Sequence, residues 1–401
     1  MDKEKVVLAF SGGLGTVAAL HLLRRRFGAN IITYTANLGQ KGSTELLCER
    51  ALQLGAGSAH VADLRERFVS DFVWPAMRAA AVCDSGYFLA HALARPLIVH
   101  EMVKIAREEG ARYLAHGCAS KSNDQVRFEV GAAALAPELK VLAPLRDANL
   151  LHLEELVAYC ERHHLPTRRG DENKFSITAN LLGSSVQWDR APDGWDEVPE
   201  DVYRLTAPLA RTPEEPQELV IGFERGVPVS LDGERPGPVD LLQRLGELAG
   251  KHGIGRLTTL EDRLIGIKMV EVYEQPAATV VHAARTALER LVLSPAMLEW
   301  RAYPSRKYAE LTYQGFWFSE LREALDAFFL KATEFVQGEV RVRLHRGRCE
   351  VTGARSPYSL YSRAMADPTA EQDEFAHAAV RGYMETLSQS VRTGREARES
   401  E

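Results

Sequence analysis

The chain has 401 residues, of which 45% are hydrophobic. It has 49 basic and 55 acidic side chains, so its formal net charge is -6. At roughly 150 residues per domain, this length predicts two or three folded units whose cores are large enough to need no disulfides. The composition excludes a largely disordered chain, and the near balance of charge gives no support to a polyanion-binding role.

Cysteine spacing and hydropathy both favour a cytoplasmic protein. The five cysteines are odd in number and form no CxxC pair, which is typical of reduced thiols rather than of disulfides, zinc sites or iron–sulfur sites. No run of about 18 uncharged apolar residues is present, and the charged start Met1-Asp2-Lys3-Glu4 is unlike a signal peptide. We therefore expect a cytoplasmic protein that has no metal centre of its own.

From residue 5 to about residue 165, short apolar runs alternate with segments of helical periodicity. The predicted strands are 5–10, 30–36, 58–63, 113–118 and 140–144, and the predicted helices are 16–27, 43–54, 91–109, 125–136 and 152–165. This alternation predicts an α/β fold with a doubly wound parallel sheet. Ligands of such sheets bind beyond the carboxyl ends of the strands, so the loops after Phe10, Ala36 and Cys118 are where we expect a site.

Beyond residue 165 the pattern changes to that of an α+β domain. The proline-rich segment 166–216 is expected to cross between domains while still carrying site residues. Two hairpins are predicted, 218–224 with 228–231 and 339–344 with 349–353, and long helices are predicted over 239–251, 277–291 and 319–337. We therefore expect three domains, over 1–165, 166–365 and 366–401, the last an arm with a helix over 371–387 and a frayed polar end from residue 388.

The loop Ser11-Gly12-Gly13-Leu14-Gly15-Thr16 lies between the first predicted strand and the first predicted helix. The N–H groups and the dipole of a helix N-terminus make such a loop an anion site, although a glycine-rich turn without a ligand is the plainer interpretation. Residues 13–18 formally match the nicotinamide dinucleotide pattern, but that reading needs a carboxylate about 20 positions on. The second strand runs Tyr34-Thr35-Ala36-Asn37-Leu38-Gly39-Gln40 and has none. The alternative is the Ser-Gly-Gly loop of ATP pyrophosphatases, which grips the β and γ phosphates while AMP is transferred.

Nine further motifs decide between these readings. In the first half they include Val6-Val7-Leu8-Ala9-Phe10, the Tyr34 to Gln40 stretch, Ala94-Arg95-Pro96, His116-Gly117-Cys118 and Asn123-Asp124-Gln125-Val126-Arg127-Phe128-Glu129. In the second half they are Gly253-Ile254-Gly255-Arg256, Val272-Tyr273-Glu274, Lys307-Tyr308-Ala309-Glu310-Leu311 and Ser356-Pro357-Tyr358-Ser359-Leu360-Tyr361. In this order, from Lys5 to about Tyr361, the chain resembles the argininosuccinate synthase family of the N-type ATP pyrophosphatase superfamily.

The resemblance implies an AMP-forming ligase that uses ATP with Mg2+. Such enzymes adenylate the ureido oxygen of citrulline, release pyrophosphate and let the amine of aspartate displace AMP, as in arginine biosynthesis. The resemblance implies that the nucleotide is bound by Ala9, Ser11, Gly12, Gly13, Thr16, Ala36 and Gly117. It implies that the amino acids are bound by Tyr87, Arg95, Asn123, Asp124, Arg127, Ser176, Ser185, Glu261 and Tyr273, with Asp124 and Arg127 in the catalytic role. It also implies a homotetramer held by C-terminal arms, small-molecule substrates as partners, and no binding to nucleic acid or membrane.

The departures from the family pattern are concentrated near the expected site. Gly15 and Val17 stand where the family has an aspartate and a serine, so the loop lacks its carboxylate. Ala90-His91-Ala92 replaces Gly-Thr-Ser, and Ala119-Ser120-Lys121-Ser122 replaces Thr-Gly-Lys-Gly before Asn123. Further departures are Thr178, Gln187, Met269 and Val270.

These departures leave two hypotheses open: a working ligase that joins citrulline or a related ureido compound to aspartate or another amine, and a diverged paralogue that binds ligands without turning over ATP. If the loop is only damaged, Gly15→Asp with Val17→Ser is expected to raise pyrophosphate release. His91 is bulkier than threonine and is expected to carry a positive charge near neutral pH. Ala92 and Ala119 each remove a hydrogen-bond partner, at about 1 to 3 kcal/mol. Aspartate is therefore expected to bind poorly unless His91 donates to its carboxylate.

Overall fold

The computed structural model describes residues 4–28, 30–166, 175–188, 193–369 and 374–399. Five parallel strands form the sheet of the first half, with β1, at its centre, paired to β2 and to β4. The strands are β1 (Val6–Ala9), β2 (Ile31–Asn37), β3 (Ser58–Asp63), β4 (Tyr113–Ala115) and β5 (Lys140–Leu142), in the order β3–β2–β1–β4–β5. The α/β fold class is confirmed.

Helices pack on both faces of this sheet, because β1 and β2 are apolar along most of their length and must be covered on both sides. The helices are α1 (Leu14–Phe27), α2 (Thr44–Gln53), α3 (Arg65–Phe68), α4 (Trp74–Arg78), α5 (Ala90–Glu109), α6 (Asn123–Leu135), α7 (Pro144–Asp147) and α8 (Leu153–Arg162), with one π-helical turn at Val69–Val73 between α3 and α4. β5 ends earlier than expected because Pro144, whose φ suits the first turn of a helix, begins α7.

Two four-stranded antiparallel sheets follow, with the strand orders β10–β11–β7–β6 and β13–β12–β8–β9. Their strands are β6 (Phe175–Asn180), β7 (Gly183–Trp188), β8 (Gln217–Glu224), β9 (Val227–Leu231), β10 (Arg256–Asp262), β11 (Lys268–Glu274), β12 (Gly338–His345) and β13 (Arg348–Arg355). The helices of this half are α9 (Pro238–Lys251), α10 (Pro276–Val292), α11 (Pro295–Tyr313) and α12 (Glu320–Ala332), and short 3-10 turns lie at Glu200–Val202 and Leu209–Arg211.

Two sequence-based expectations for this half need revision. The segment 166–216, predicted as a crossing between domains, also contributes β6 and β7 to a sheet in which β7 pairs with β11. The predicted helix 319–337 ends at Ala332. There the hydroxyl of Thr333 donates to the carbonyl of Phe329 at 2.7 Å and to the carbonyl of Arg225 at 3.2 Å, which fixes the chain as it leaves the helix.

Residues 359–401 form a second compact unit, which contains α13 (Arg363–Ala366) and α14 (His377–Glu399). The expected helix over 371–387 with a frayed end is wrong, since α14 begins later and its polar segment remains helical. Ion pairs at i,i+4 spacing stabilise α14, with Arg395 and Glu399 2.7 Å apart in the polar segment and Arg381 and Glu385 3.1 Å apart before it. No helix in the described part of the chain combines the length and the apolarity needed to cross a bilayer.

Candidate active site

The loop between β1 and α1 forms one wall of a cavity of about 2370 Å3 at the carboxyl end of the parallel sheet. Gly13 precedes α1 and makes no side-chain cap, while the hydroxyl of Thr16 donates to the Gly13 carbonyl at 3.0 Å. Gly12 has a φ of 71°, which a residue with a side chain rarely adopts. A helix N-terminus without a side-chain cap offers backbone N–H donors and the positive end of the dipole, so this wall suits a phosphate group.

Gly15 and Gly117 hold the loop after β4 against the start of α1. A Cβ added to Gly15 would lie 2.4 Å from the Gly117 carbonyl oxygen, and a Cβ added to Gly117 would lie 2.7 Å from the Gly15 carbonyl oxygen. Both obstacles are backbone atoms, which cannot rotate away as a side chain can. The position where the family has aspartate therefore has no room for any side chain in this conformation.

The ends of β1 and β2 form the neighbouring wall, where Ala9 and Ala36 line the cavity. The side chain of Gln40 closes the turn after β2, because its amide donates to the Ala36 carbonyl at 2.7 Å and accepts from the Leu38 N–H at 2.8 Å. Small side chains and a fixed backbone keep this edge of the sheet open.

Among the described residues, five that line the cavity each carry a buried polar atom without a hydrogen-bond partner. These atoms are the Tyr34 hydroxyl, His91 Nε2, Arg95 Nε, His116 Nε2 and Trp188 Nε1. His116 Nε2 is 3.6 Å from a carboxylate oxygen of Glu129, which is an ion-pair distance if the imidazole is protonated but is long for a hydrogen bond. Buried polar groups are seldom left unpaired, so their concentration around one cavity indicates a polar ligand.

Asp124, at the start of α6, is held between two guanidinium groups. Arg95 donates to one carboxylate oxygen at 2.7 Å, and Arg127 donates to the other at 2.9 Å. Burial alone would raise the pKa of the Asp124 carboxyl, but the charges of Arg95 and Arg127 hold it well below its usual range. The three side chains therefore form a buried cluster with a net charge of about +1.

A second polar network lies behind Asp124 and is centred on the buried carboxylate of Glu261. This carboxylate accepts hydrogen bonds from the hydroxyl of Tyr313 at 2.6 Å and from that of Tyr273 at 3.0 Å. The Tyr313 hydroxyl also accepts from the Asn123 side-chain amide at 2.7 Å, and Tyr87 stacks on Tyr273 with ring centroids 4.2 Å apart. Asn123 thereby joins this network to the Asp124 cluster.

All but two of the residues expected to form the site fall into two groups. Those that line the cavity are Ala9, Ser11, Gly12, Gly13, Thr16, Ala36, Arg95, Gly117 and Asp124. Tyr87, Asn123, Arg127, Glu261 and Tyr273 belong to the two networks behind it. Ser185 lies on β7 opposite Tyr273 of β11, and Ser176 lies on β6, with its side chain outside the described part of the structure.

Two features of this region differ from expectation or were missed. His91 is not a cation near neutral pH, because burial and then the charge of Arg95 lower its pKa to about 3. Tyr313 was missed because it lies 190 residues from Asn123, so no sequence spacing could indicate their contact. Cys118 lines the cavity, but burial raises the pKa of its thiol far above the usual range, so the structure offers no reactive thiolate there.

The donor set fits ATP better than it fits a protein-bound metal. The glycine-lined helix N-terminus and the small residues at the strand ends suit a triphosphate and a nucleoside. In the described part of the chain, no group of three or more His, Cys, Asp or Glu side chains is placed to hold a metal ion. A divalent cation that arrived with ATP would bring phosphate oxygens and water as ligands, which Mg2+ readily accepts.

A parallel five-stranded sheet with a glycine-lined helix N-terminus after its central strand is the arrangement of a nucleotide-binding α/β protein. The Arginosuccinate synthase N-terminal HUP domain matches residues 5–166, and the Arginosuccinate synthase C-terminal domain matches residues 175–393. The chain belongs to the argininosuccinate synthase family.

Relatives in three bacteria share this similarity along nearly the whole chain. Argininosuccinate synthase of Symbiobacterium thermophilum is 44% identical over 386 residues, which is 96% of each chain. The enzyme of Dehalococcoides mccartyi, strain 195, is 43% identical over 95% of this chain and 93% of its own. That of Chlorobaculum tepidum is 41% identical over 402 aligned positions, covering 100% of both chains.

Proposed function

We propose that this chain is an ATP-dependent, AMP-forming ligase of arginine biosynthesis that joins citrulline to aspartate. The observation that carries this function is one cavity in which a glycine-lined helix N-terminus faces the Arg95–Asp124 ion pair. That arrangement suits a reaction in which a nucleotide and two amino acids must meet.

The reaction proceeds in two displacements. The ureido oxygen of citrulline attacks the α-phosphorus of ATP, and the bond to pyrophosphate breaks. The ammonium group of aspartate loses one proton to solvent, and the resulting amine attacks the ureido carbon. The bond to AMP breaks and the nitrogen loses a second proton to solvent, so that one N–H remains on it in the product. Pyrophosphate and AMP are good leaving groups, so alignment of the reactants supplies most of the rate enhancement.

The residues around the cavity act by binding and orienting. Ser11, Gly12, Gly13 and Thr16 hold the phosphates, while Ala9, Ala36 and Gly117 border the nucleoside. Asn123 and Asp124 bind aspartate, and Arg95 neutralises the negative charge of an aspartate carboxylate. Citrulline is surrounded by Tyr87, Arg127, Ser176, Ser185, Glu261 and Tyr273. Asp124 is fully ionised at neutral pH, which suits it to bind an ammonium group rather than to remove a proton.

Magnesium enters this proposal as an ion that travels with ATP. Because the loop has Gly15 in place of a carboxylate, residues 11–16 would offer such an ion no carboxylate ligand, and it would be held mainly through the phosphate oxygens of ATP. When bound there, the ion would supply positive charge beside the phosphates.

Pyrophosphate and AMP release with ATP, citrulline and aspartate tests the proposed function. We expect release that requires both amino acids and produces AMP and pyrophosphate in equal amounts. ATP consumption without citrulline, or formation of ADP, would contradict it.

The second hypothesis, a diverged paralogue without turnover, is favoured by the close contact of Gly15 with Gly117. That contact leaves no room for a carboxylate side chain at position 15, while the backbone N–H groups proposed to bind phosphate are still present. Calorimetric binding of ATP without pyrophosphate release would support this alternative over the ligase.

We also propose the domain division 1–165, 166–365 and 366–401, with the last segment acting as the arm of a homotetramer. Helix α14 exposes Tyr383, Met384, Leu387 and Val391 at helical spacing, which gives it an apolar stripe. Light scattering should report a tetramer, and deletion of 366–401 should yield smaller species. A full-length monomer at micromolar concentration would refute the tetramer. The five free cysteines agree with a cytoplasmic location.

A further inference from the structure

His91 occupies a fixed position in the first turn of α5, at the edge of the cavity. Its backbone N–H donates to the hydroxyl of Tyr87 at 2.7 Å, and Tyr87 is itself stacked on Tyr273. The residue before the helix, Leu89, has a φ of 63° and is fully buried. The imidazole therefore stands on a backbone that several independent contacts hold in place.

The imidazole is buried, yet its Nε2 atom makes no hydrogen bond within the described structure. Only 6% of His91 is exposed, and the residue lines the cavity. Arg95 lies one helical turn further along the same face of α5. Its Nη2 donates to Asp124, while its buried Nε also lacks a partner. Two unpaired buried nitrogens thus occur one turn apart on a wall of the same cavity.

The charges around His91 determine which kind of ligand group suits these nitrogens. The groups that act on it are Arg95, Asp124 and Arg127, whose charges sum to about +1. The imidazole is neutral, because burial and the neighbouring guanidinium groups disfavour a further positive charge. A neutral imidazole can present an N–H donor at Nε2 when the proton is on that nitrogen. A donor beside an excess positive charge favours an anionic acceptor.

We propose that His91 Nε2 and Arg95 Nε together hold one carboxylate of the amino acid that supplies the amine, which makes His91 a specificity-determining residue of the second displacement. This inference rests on the proposed function. The sequence predicts poor aspartate binding because Ala92 and Ala119 each remove a hydrogen-bond partner. On this proposal His91 supplies a contact to the carboxylate that these two alanines cannot make. Aspartate remains a suitable amine donor on this account.

Aspartate binding to the full chain tests this role, with the protein saturated with citrulline and a non-hydrolysable ATP analogue. His91→Ala should weaken aspartate binding by about 5- to 150-fold, the loss expected for one buried hydrogen bond to a charged group. His91→Gln, which can place an amide N–H near the position of Nε2, should recover most of that loss. Citrulline affinity should change by less than about threefold in both variants, whereas a general packing defect would weaken both ligands.

His100→Ala is the matched control, because His100 lies on the same helix with its side chain 40% exposed. It should leave aspartate affinity unchanged. Two amides of aspartate, one at each carboxylate, identify the group that is held. The amide that removes this group should bind more weakly than aspartate to the wild type. The difference should be smaller in His91→Ala, because only the contact with Arg95 is then left to lose.

Each outcome decides the inference separately from the proposed function. Unchanged aspartate affinity in His91→Ala, or no aspartate binding to the wild type under these conditions, would overturn the role of His91. Aspartate binding that depends on His91 in a protein that releases no pyrophosphate would support the role of His91 while refuting the ligase.

Discussion

The two ends of the cavity are built from different kinds of group. At the end proposed to bind phosphate, here called the phosphate end, the surface is backbone: a helix N-terminus, glycines and the Gly15–Gly117 contact, with no ionisable side chain in residues 11–16. At the amino-acid end it consists of buried side chains that are already paired, with Asp124 between Arg95 and Arg127 and Glu261 beneath two tyrosines. The first end should therefore be sensitive to volume and indifferent to pH, whereas the second should be sensitive to charge.

The largest expected effect comes from removing the charge of Asp124. Asp124→Asn leaves Arg95 and Arg127 buried without a counter-charge, and breaking a buried pair in this way costs about 3 to 5 kcal/mol. We expect urea denaturation to show a loss of that order in the free energy of unfolding. Asp240→Asn is the matched control, since Asp240 forms an exposed i,i+4 pair with Arg244, and it should cost less than about 1 kcal/mol. Equal effects in the two variants would show that the Asp124 cluster is no more sensitive to charge than the protein surface.

A smaller effect is expected from pH, and it should arise at the amino-acid end. The folded-state pKa of His91 is lowered from 6.5 to about 3. The unfolded chain therefore binds a proton between these values that the folded chain does not. Stability is unaffected above about pH 6.5 and falls as pH decreases below it, by about 2 kcal/mol at pH 5 for this one group.

The measurement is the free energy of unfolding at pH 7.5 and at pH 5 for the wild type and for His91→Gln. The loss on acidification should be smaller in the variant by about 2 kcal/mol, while other buried groups such as His282 continue to contribute. His100→Gln, an exposed control on the same helix, should retain the full loss. If His91→Gln lost as much stability as the wild type on acidification, the His91 imidazole of the wild type would have to be solvated or charged in the folded protein.

Much of the architecture was predictable because each strand and helix of the parallel sheet domain has a hydrophobic pattern that is visible within a short segment of the sequence. β1 and β2 are runs of buried apolar residues, and the apolar positions in the intervening helices recur with a period of 3.6 residues. The alternation of these two patterns alone indicated the α/β class. One of the strands that were missed, β10, is largely polar. β10 reads Arg-Leu-Thr-Thr-Leu-Glu-Asp and has one residue buried, so its place in a sheet depends on pairing with β11 rather than on its own composition.

The site could be predicted only in part, because its contacts join distant segments. The family motifs indicated Asp124 and Arg127, and their i,i+3 spacing on one helix is local. The bond from Asn123 to Tyr313 spans 190 residues, and the backbone contact of Gly15 with Gly117 spans about a hundred. The charge of His91 also could not be read from the sequence, since it depends on burial and on a guanidinium group that only the fold brings near.

The smallest expected effect comes from adding one methyl group at the phosphate end. Gly15→Ala places a Cβ 2.4 Å from the Gly117 carbonyl oxygen, so the loop must shift away from the strand end. Overpacking of this kind costs on the order of 1.4 kcal/mol, and we expect a loss of ATP affinity of about tenfold, measured by calorimetry. Gly246→Ala is the control, because its Cβ would lie 3.8 Å from that of Ala277, an ordinary contact, and ATP affinity should not change.

The same geometry reverses the expectation drawn from the family pattern for Gly15→Asp with Val17→Ser. An aspartate side chain meets the same backbone oxygen as alanine does, and Val17 is 1% exposed, so a serine there would bury a hydroxyl in the core. The double variant should therefore bind ATP more weakly than the wild type and release no additional pyrophosphate. A higher rate of pyrophosphate release would mean that the loop moves away from Gly117 at little cost. It would also mean that activity at the phosphate end is limited by the missing carboxylate charge rather than by side-chain volume.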